Sequence, residues 1–353
     1  KGQNILTDDF NIGAFSVSTI KNMNADDVLK MEEKIKKVDG VNEVVSLYDA
    51  IGTTIPIEML PDEITEKVSK GDETLLLITF KDGTSDEGTL NAIKEIKSIT
   101  KGYAKIGGMS AMVLDTMNLS DKEVAAYIVI AVILCIIVLT ISLDSYLTPI
   151  LLLLNIGIAI LYNMGTNIIL GDISYITKAI SAVLQLGVTT DFSIFLYHKY
   201  ENAKKHTKDK NKAMESAINE TITSVMGSSL TTIAGFLALC TMTLTLGKDI
   251  GLVMAKGVIF GVLCVITIFP CMLLCFDKAI EKTTHKVILP EFKGIKNFII
   301  KHYKAIFVIF LILLIPAWYS QKNTKVYYNL EKTLPDTLES SVANSNLKDK
   351  YNI

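Results

Sequence analysis

Six long apolar runs restrict this chain more than any other feature. They lie at roughly 124–143, 147–170, 174–198, 221–246, 250–276 and 303–319. An α-helix needs about 20 apolar residues to cross the hydrocarbon of a bilayer, and most of these runs exceed that. The last has about 15 strongly apolar residues by the same measure, with Lys304 placed to snorkel and Trp318 and Tyr319 in an aromatic belt. Inside a bilayer every backbone polar group must be satisfied within its own segment, so runs of this length predict a bundle of spanning helices. A mean hydropathy of +0.38 and 50% hydrophobic residues agree.

Residues 1–120 are different in kind. Phe10–Ile20 alternates apolar residues and reads as a strand. Ala25–Lys37 carries Val28, Met31 and Ile35 at helical spacing and stops at Gly40. Val41–Leu47 is a second strand, followed by an excursion with Pro56 and Pro61 and a short helix near Asp62–Ser69. Thr74–Phe80 is a strand, Asp86–Ile99 a helix, and Tyr103–Ile106 a last strand. The order βαββαβ is the split βαβ, or ferredoxin-like, unit.

Loop lysines predict the orientation. The loop 199–212 carries six lysines and the connector 277–304 carries seven, and alternating spans put both on one side. An excess of lysine marks the cytoplasmic side, so residues 1–120 and 321–353 are expected outside. The expected organisation is an extracellular α+β domain (1–120), five spans (121–276), a cytoplasmic connector (277–302), a sixth span (303–320) and the start of a second extracellular domain (321–353). The lysine-rich loops also suit contact with anionic membrane lipids.

All 35 basic residues are lysine, and net charge is −2. Bidentate recognition of nucleic-acid phosphate favours arginine, so no nucleic-acid partner is expected. The five cysteines lie in apolar runs, which implies packing residues rather than a disulfide framework or a zinc site. No Gly-x₄-Gly-Lys-[Ser/Thr] loop and no hydrolase motif appears, so neither ATP, a metal nor another cofactor is implied, and no enzyme is expected. The chain opens on Lys1-Gly2-Gln3-Asn4 with no apolar core behind it, so it is expected to be a fragment.

One ionisable group stands inside a run. Asp191 lies within Gly187-Val188-Thr189-Thr190-Asp191-Phe192-Ser193, well inside the third span. A carboxylate at that depth is costly, and its default reading is an ion or substrate pathway. The alternative is an aspartate that only bonds a neighbouring helix. Gly187, Thr190 and Ser193 allow close helix approach and local hydrogen bonding. In the fourth span Gly227, Thr231 and Gly235 recur every four residues, with Ser224, Ser228 and Thr232 beside them. These form either a packing stripe or a polar wall that hydrates Asp191, and Gly187 is expected to pack against Gly227. Lys256, about 10 Å into the fifth span at 1.5 Å per residue, could pair with Asp191 or snorkel outward. Lys178 is near enough to an interface to snorkel.

The stretch from Gly187 to Tyr200 resembles the MMPL branch of the resistance–nodulation–division (RND) superfamily, whose halves each carry Gly-x₃-Asp-Tyr in the fourth span. Ser228–Phe236, reading Ser-Ser-Leu-Thr-Thr-Ile-Ala-Gly-Phe, is similar to that family's next segment, and Pro270 to its usual end of the sixth span. Leu334-Pro335-Asp336 resembles the start of a second porter domain. The resemblance implies a polytopic α-helical membrane bundle of RND type with an extracellular ferredoxin-like porter domain, spanning about one repeat. It implies export of lipids or other amphiphiles driven by the proton gradient through Asp191, with the rest of the transporter as partner and a possible oligomer. Where the family has tyrosine this chain has Phe192, so the phenolic partner does not carry over. A lipid- or sterol-sensing module and an accessory motor for protein export are the alternatives within the superfamily.

Overall fold

The computed structural model describes residues 13–46, 48–49, 69–70, 73–100, 102–171, 173–207, 209–287, 293–325 and 334–351. The expected excursion around Pro56 and Pro61, with its short helix near Asp62, lies outside them. The chain divides into two compact units, Lys1–Leu119 with Lys325–Ile353, and Ser120–Thr324.

The first unit holds an antiparallel sheet of β1 (Phe15–Lys21), β2 (Val41–Ser46), β3 (Ser69–Lys70), β4 (Glu73–Phe80) and β5 (Ala104–Gly107). Two helices, α1 (Ala25–Lys36) and α2 (Glu87–Thr100), connect β1 to β2 and β4 to β5. The strand order is β2-β4-β1-β5, with β3 paired to β4. Register follows apolar alternation: Ile20 sits opposite Thr74 and Ser18 opposite Leu76. Leu76, Ile78 and Phe80 are therefore buried on one face with Val28 and Ile35 of α1 and Leu90, Ile93 and Ile96 of α2. Asn24 caps α1, its side-chain oxygen accepting from the Asp27 amide at 2.8 Å. Such a cap stabilises a helix by about 1 kcal/mol.

The tail, read from sequence as the start of another domain, adds a helix to this unit. α10 (Glu339–Tyr351) buries Leu347 and Tyr351 against Leu75 and Val17 on the sheet's other face. The Asn344 side-chain oxygen accepts from the Gly108 amide at 2.8 Å. Asp115 accepts from the Ser340 amide at 3.0 Å and from Lys97 at 2.7 Å.

The second unit is helical. Among the described residues six helical segments are long and apolar enough to cross a membrane: Met109–Ser142, Leu147–Ile169, Tyr175–His206, Lys210–Leu239, Thr245–Lys282 and Gly294–Asn323. They contain α3 (Met109–Ser142), α4 (Leu147–Gly165, continued by a 3₁₀ turn Thr166–Ile169), α5 (Tyr175–His206), α6 (Lys210–Leu239), α7 (Thr245–Ile266) and α8 (Ile268–Lys282), then α9 (Lys293–Asn323). α3 starts well before the expected first span because Ala111 and Leu114, at its start, belong to the core of the sheet unit. The fifth span is two helices. α7 ends at Ile266 and α8 begins at Ile268, with Thr267 (φ −118°, ψ −67°) between them, three residues before Pro270, which has no amide to donate across the break.

α5 packs against α4, α6 and α7. Leu152, Ile156, Leu196, Val258, Val265 and Phe269 are buried between these helices. Lipid tails are as apolar as leucine, so packing and interhelical hydrogen bonds hold such a bundle rather than burial from water.

Candidate functional site in the membrane bundle

Asp191 sits midway along α5, on a face shared with Leu184 and Gly187, and all three are exposed. It makes no hydrogen bond or ion pair among the described residues. Thr190, the residue before it, spends its hydroxyl on its own helix, donating to the Leu186 carbonyl at 2.5 Å. Phe192, the residue after it, points the other way and is buried in the bundle core. Neighbouring residues on an α-helix are about 100° apart, so one can face the core while the other faces out. A hydroxyl at the position of Phe192 would enter the core rather than the face of Asp191.

Two sequence expectations about this face change. A Cβ built on Gly187 or Gly227 meets nothing within 4 Å, so the expected close packing of Gly187 against the Gly227 stripe is absent. Both glycines lie on exposed faces of their own helices. Ser228 and Thr232 are satisfied locally, donating to the Val225 carbonyl at 3.1 Å and the Ser228 carbonyl at 3.0 Å. Hydroxyls bonded back one turn need no partner helix, which is how this stripe stays on an open face.

Lys256 does not pair with Asp191. Its ammonium donates to the Asn163 carbonyl at 2.9 Å and the Asn167 side-chain oxygen at 2.6 Å, both on the α4 side. α4 therefore supplies the oxygens that satisfy this charge within the bundle. Lys178 is exposed and pairs with Asp121 at 3.1 Å.

The C-terminal end of α5 is clamped by contacts the sequence did not reveal. Tyr197 and Tyr200 are each 1% exposed. Tyr197 donates to Asp144 at 2.5 Å, and Tyr200 donates to Asp277 at 3.0 Å. Asp277 also accepts from Lys204 at 3.0 Å. The partners are 53 and 77 residues apart, beyond the reach of any spacing rule. Two tyrosines three residues apart, Tyr197 and Tyr200, were the signal the sequence offered.

The MMPL family model matches residues 17–289, taking in most of the sheet, α5 and its aspartate, and the break at Pro270. The chain belongs to the MMPL family. Membrane protein MJ1562 of Methanocaldococcus jannaschii is 25% identical over 276 residues, covering 72% of this chain and 71% of that protein. The siderophore exporter MmpL5 of Mycobacterium tuberculosis is 23% identical over 215 residues, covering 56% of this chain and 22% of that protein. This MMPL chain thus spans under a quarter of the longer relative. A crystal structure of SecDF in its super-membrane-facing form aligns over 77% of this chain and 34% of SecDF, at TM-score 0.41 and 12% identity, too distant to carry an argument. With six such helices among the described residues and this family, the protein is a multi-pass membrane protein.

Proposed function

We propose that this chain is about one repeat of a proton-driven MMPL transporter that exports lipids or other amphiphiles, with Asp191 as the proton carrier. One observation carries the reading. Asp191 is an unpartnered carboxylate deep in a spanning helix, on a face its own bundle leaves open. A carboxylate serving only to bond a neighbouring helix would have a partner, and Asp191 has none among the described residues. An open face can be covered by the rest of the transporter, where the proton would be exchanged. Gly187, one turn earlier on the same face, suits close approach of that partner. The siderophore exporter among the relatives supports export as the activity.

In this reading the sheet unit is an extracellular porter domain of ferredoxin-like fold. Setting aside the two-residue β3, its βαββαβ order and the strand order β2-β4-β1-β5 support that. The lysine-rich segments 199–212 and 277–304 support a cytoplasmic location for the C-terminal end of α5.

The test is Asp191→Asn in the whole transporter, reconstituted in vesicles with a pH gradient and a lipid cargo. Asparagine keeps size and hydrogen bonding and cannot carry a proton. Loss of both substrate-coupled proton flux and export, with normal insertion, is expected. Export at the parent rate by the asparagine variant would refute the carrier role. Saturable lipid binding with no proton flux in the parent would instead identify a lipid-sensing module.

A further inference from the structure

The side of α5 opposite Asp191 carries a second polar feature. Ser181, Gln185, Thr189, Ser193 and Tyr197 recur at every fourth position and are all buried, each 1% exposed or less. Thr189 and Asp191 are two residues apart, about 200° around the helix, so this ridge is not the face of the carboxylate.

α4 and α7 are built to receive it. The Asn163 amide donates to the Gln185 side-chain oxygen at 2.8 Å, and the Gln185 amide donates to the Gly257 carbonyl at 3.1 Å. A Cβ on Gly257 would stand 2.6 Å from the Asn163 amide nitrogen, and one on Gly261 would stand 2.6 Å from the Thr189 hydroxyl. Glycine at both positions admits the polar side chains between the helices.

Several of these groups lack partners. Both polar atoms of Asn155, in the middle of α4, are buried and unpaired among the described residues, as are the Asn163 side-chain oxygen and the Thr189 hydroxyl. Asn155 is itself 0% exposed. The Asn163–Gln185 bond fixes the level of α4 against α5. Asn155 lies eight residues before Asn163, about 12 Å along the axis, which is the level of Ser193 eight residues beyond Gln185. A buried amide with neither donor nor acceptor used is destabilising, and such groups in native interiors are commonly satisfied by ordered water. The spacing fits water as well. Successive ridge residues rise about 6 Å, and one water accepting and donating bonds of about 2.8 Å spans nearly that.

At one end of the seam stands Lys256, its ammonium held by the Asn163 carbonyl and Asn167. A fixed cation at the mouth of a water path repels hydronium and metal cations, as positive groups do in water-selective pores.

We propose that the α4–α5–α7 interior binds a file of ordered water centred on Asn155, and that Lys256 is the electrostatic barrier that keeps this file from leaking protons. The file is separate from Asp191. It gives the bundle a polar interior, and the lysine lets that interior exist without short-circuiting the gradient.

The test uses the full chain in proteoliposomes with an entrapped pH dye, in an Asp191→Asn background so that any relay through the carboxylate is silent. Lys256→Met is expected to raise passive proton leak several-fold, Lys256→Arg to leave it unchanged, and Asn155→Leu added to Lys256→Met to return it to background. Lys256→Gln, which keeps a donor toward Asn163 and Asn167, serves if the methionine variant does not fold. The unfolding midpoint of Asn155→Leu in detergent is a separate reading. If water satisfies Asn155, leucine strands that water and lowers the midpoint; if the site is dry, leucine relieves an unpaired amide and raises it. A raised midpoint, or a folded charge-neutral Lys256 variant with background leak, overturns the proposal. Neither result depends on whether Asp191 carries protons.

Discussion

Tyr197 donates its hydroxyl to Asp144 at 2.5 Å, joining the C-terminal end of α5 to the turn between α3 and α4. The phenol is 1% exposed, so no solvent can replace its partner. The next tyrosine on the same side, Tyr200, holds Asp277 of α8 in the same way. Two hydroxyl–carboxylate bonds thus fix the end of the helix that carries Asp191.

The first prediction concerns this clamp. Hydrogen bonds to charged groups contribute about 1.5–3 kcal/mol. Tyr197→Phe keeps the ring and loses the bond, so a loss of that order is expected. Asp144→Ala should cost at least as much, because it leaves a buried hydroxyl unpaired. Thermal unfolding in detergent measures both. A double variant no worse than either single one would show that the two losses are one interaction.

A second prediction contrasts glycines. A Cβ on Gly261 would approach Thr189 to 2.6 Å, while one on Gly187 meets nothing within 4 Å. Gly261→Ala should therefore destabilise the bundle by about 1–3 kcal/mol, the range for overpacking. Gly187→Ala should leave the unfolding of this chain unchanged. A Gly187→Cys, Gly227→Cys double variant should form no cross-link within the chain. Efficient intrachain cross-linking would restore the helix contact that the sequence suggested.

The third prediction is a pH dependence in the sheet unit. Burial alone would raise the Glu73 carboxyl, but ion pairs with Lys21 and with Lys350 of α10 outweigh it and hold its pKa below the ordinary 4.5. A carboxylate depressed in the folded state stabilises fully above its unfolded pKa and loses that contribution as pH falls through the folded one. Stability of the unit should fall on acidification below about pH 4.5 more steeply in the parent than in Glu73→Gln. Equal slopes in acid titrations followed by circular dichroism would remove Glu73 from the account. Lys350→Met should shift the parent's acid midpoint upward, since one of the two pairs is then gone.

The fourth prediction is topological and follows from the lysine asymmetry. Cysteines placed at Ser85 and Asp336 should react with an impermeant thiol reagent in intact cells, and one at Thr207 should not. Reaction at Thr207 without permeabilisation would invert the orientation proposed for the chain.

The fifth is the proton dependence of transport through Asp191. One elementary charge moving across 100 mV is worth about 2.3 kcal/mol, enough for roughly a fifty-fold cargo gradient per proton. Cargo accumulation in vesicles should therefore collapse on adding a protonophore and be absent in Asp191→Asn under any imposed gradient. Accumulation that survives the protonophore would require another energy source.

What could be read without coordinates was governed by local rules. The strand Glu73–Phe80 and the helices Ala25–Lys36 and Glu87–Thr100 fall within a residue or two of their expected places, because alternation and 3.6-residue periodicity are properties of neighbouring residues. The spanning helices were legible for the same reason, since bilayer thickness sets their length whatever they pack against. Asp191 was visible because a charge in an apolar run needs no partner to be conspicuous. Which side of a helix meets which neighbour is different, because it depends on contacts tens of residues away. The sequence shows Gly187 and Gly227 as a packing pair, and the fold turns both outward. It leaves Lys256 between Asp191 and solvent, and the fold gives it to Asn163 and Asn167. Tyr197 with Asp144, Lys350 with Glu73, and the buried amide of Asn155 are pairings, or missing pairings, that only the packed chain decides. Burial makes each of them matter, since a polar group withdrawn from solvent must be satisfied by whatever the fold brings within about 3 Å.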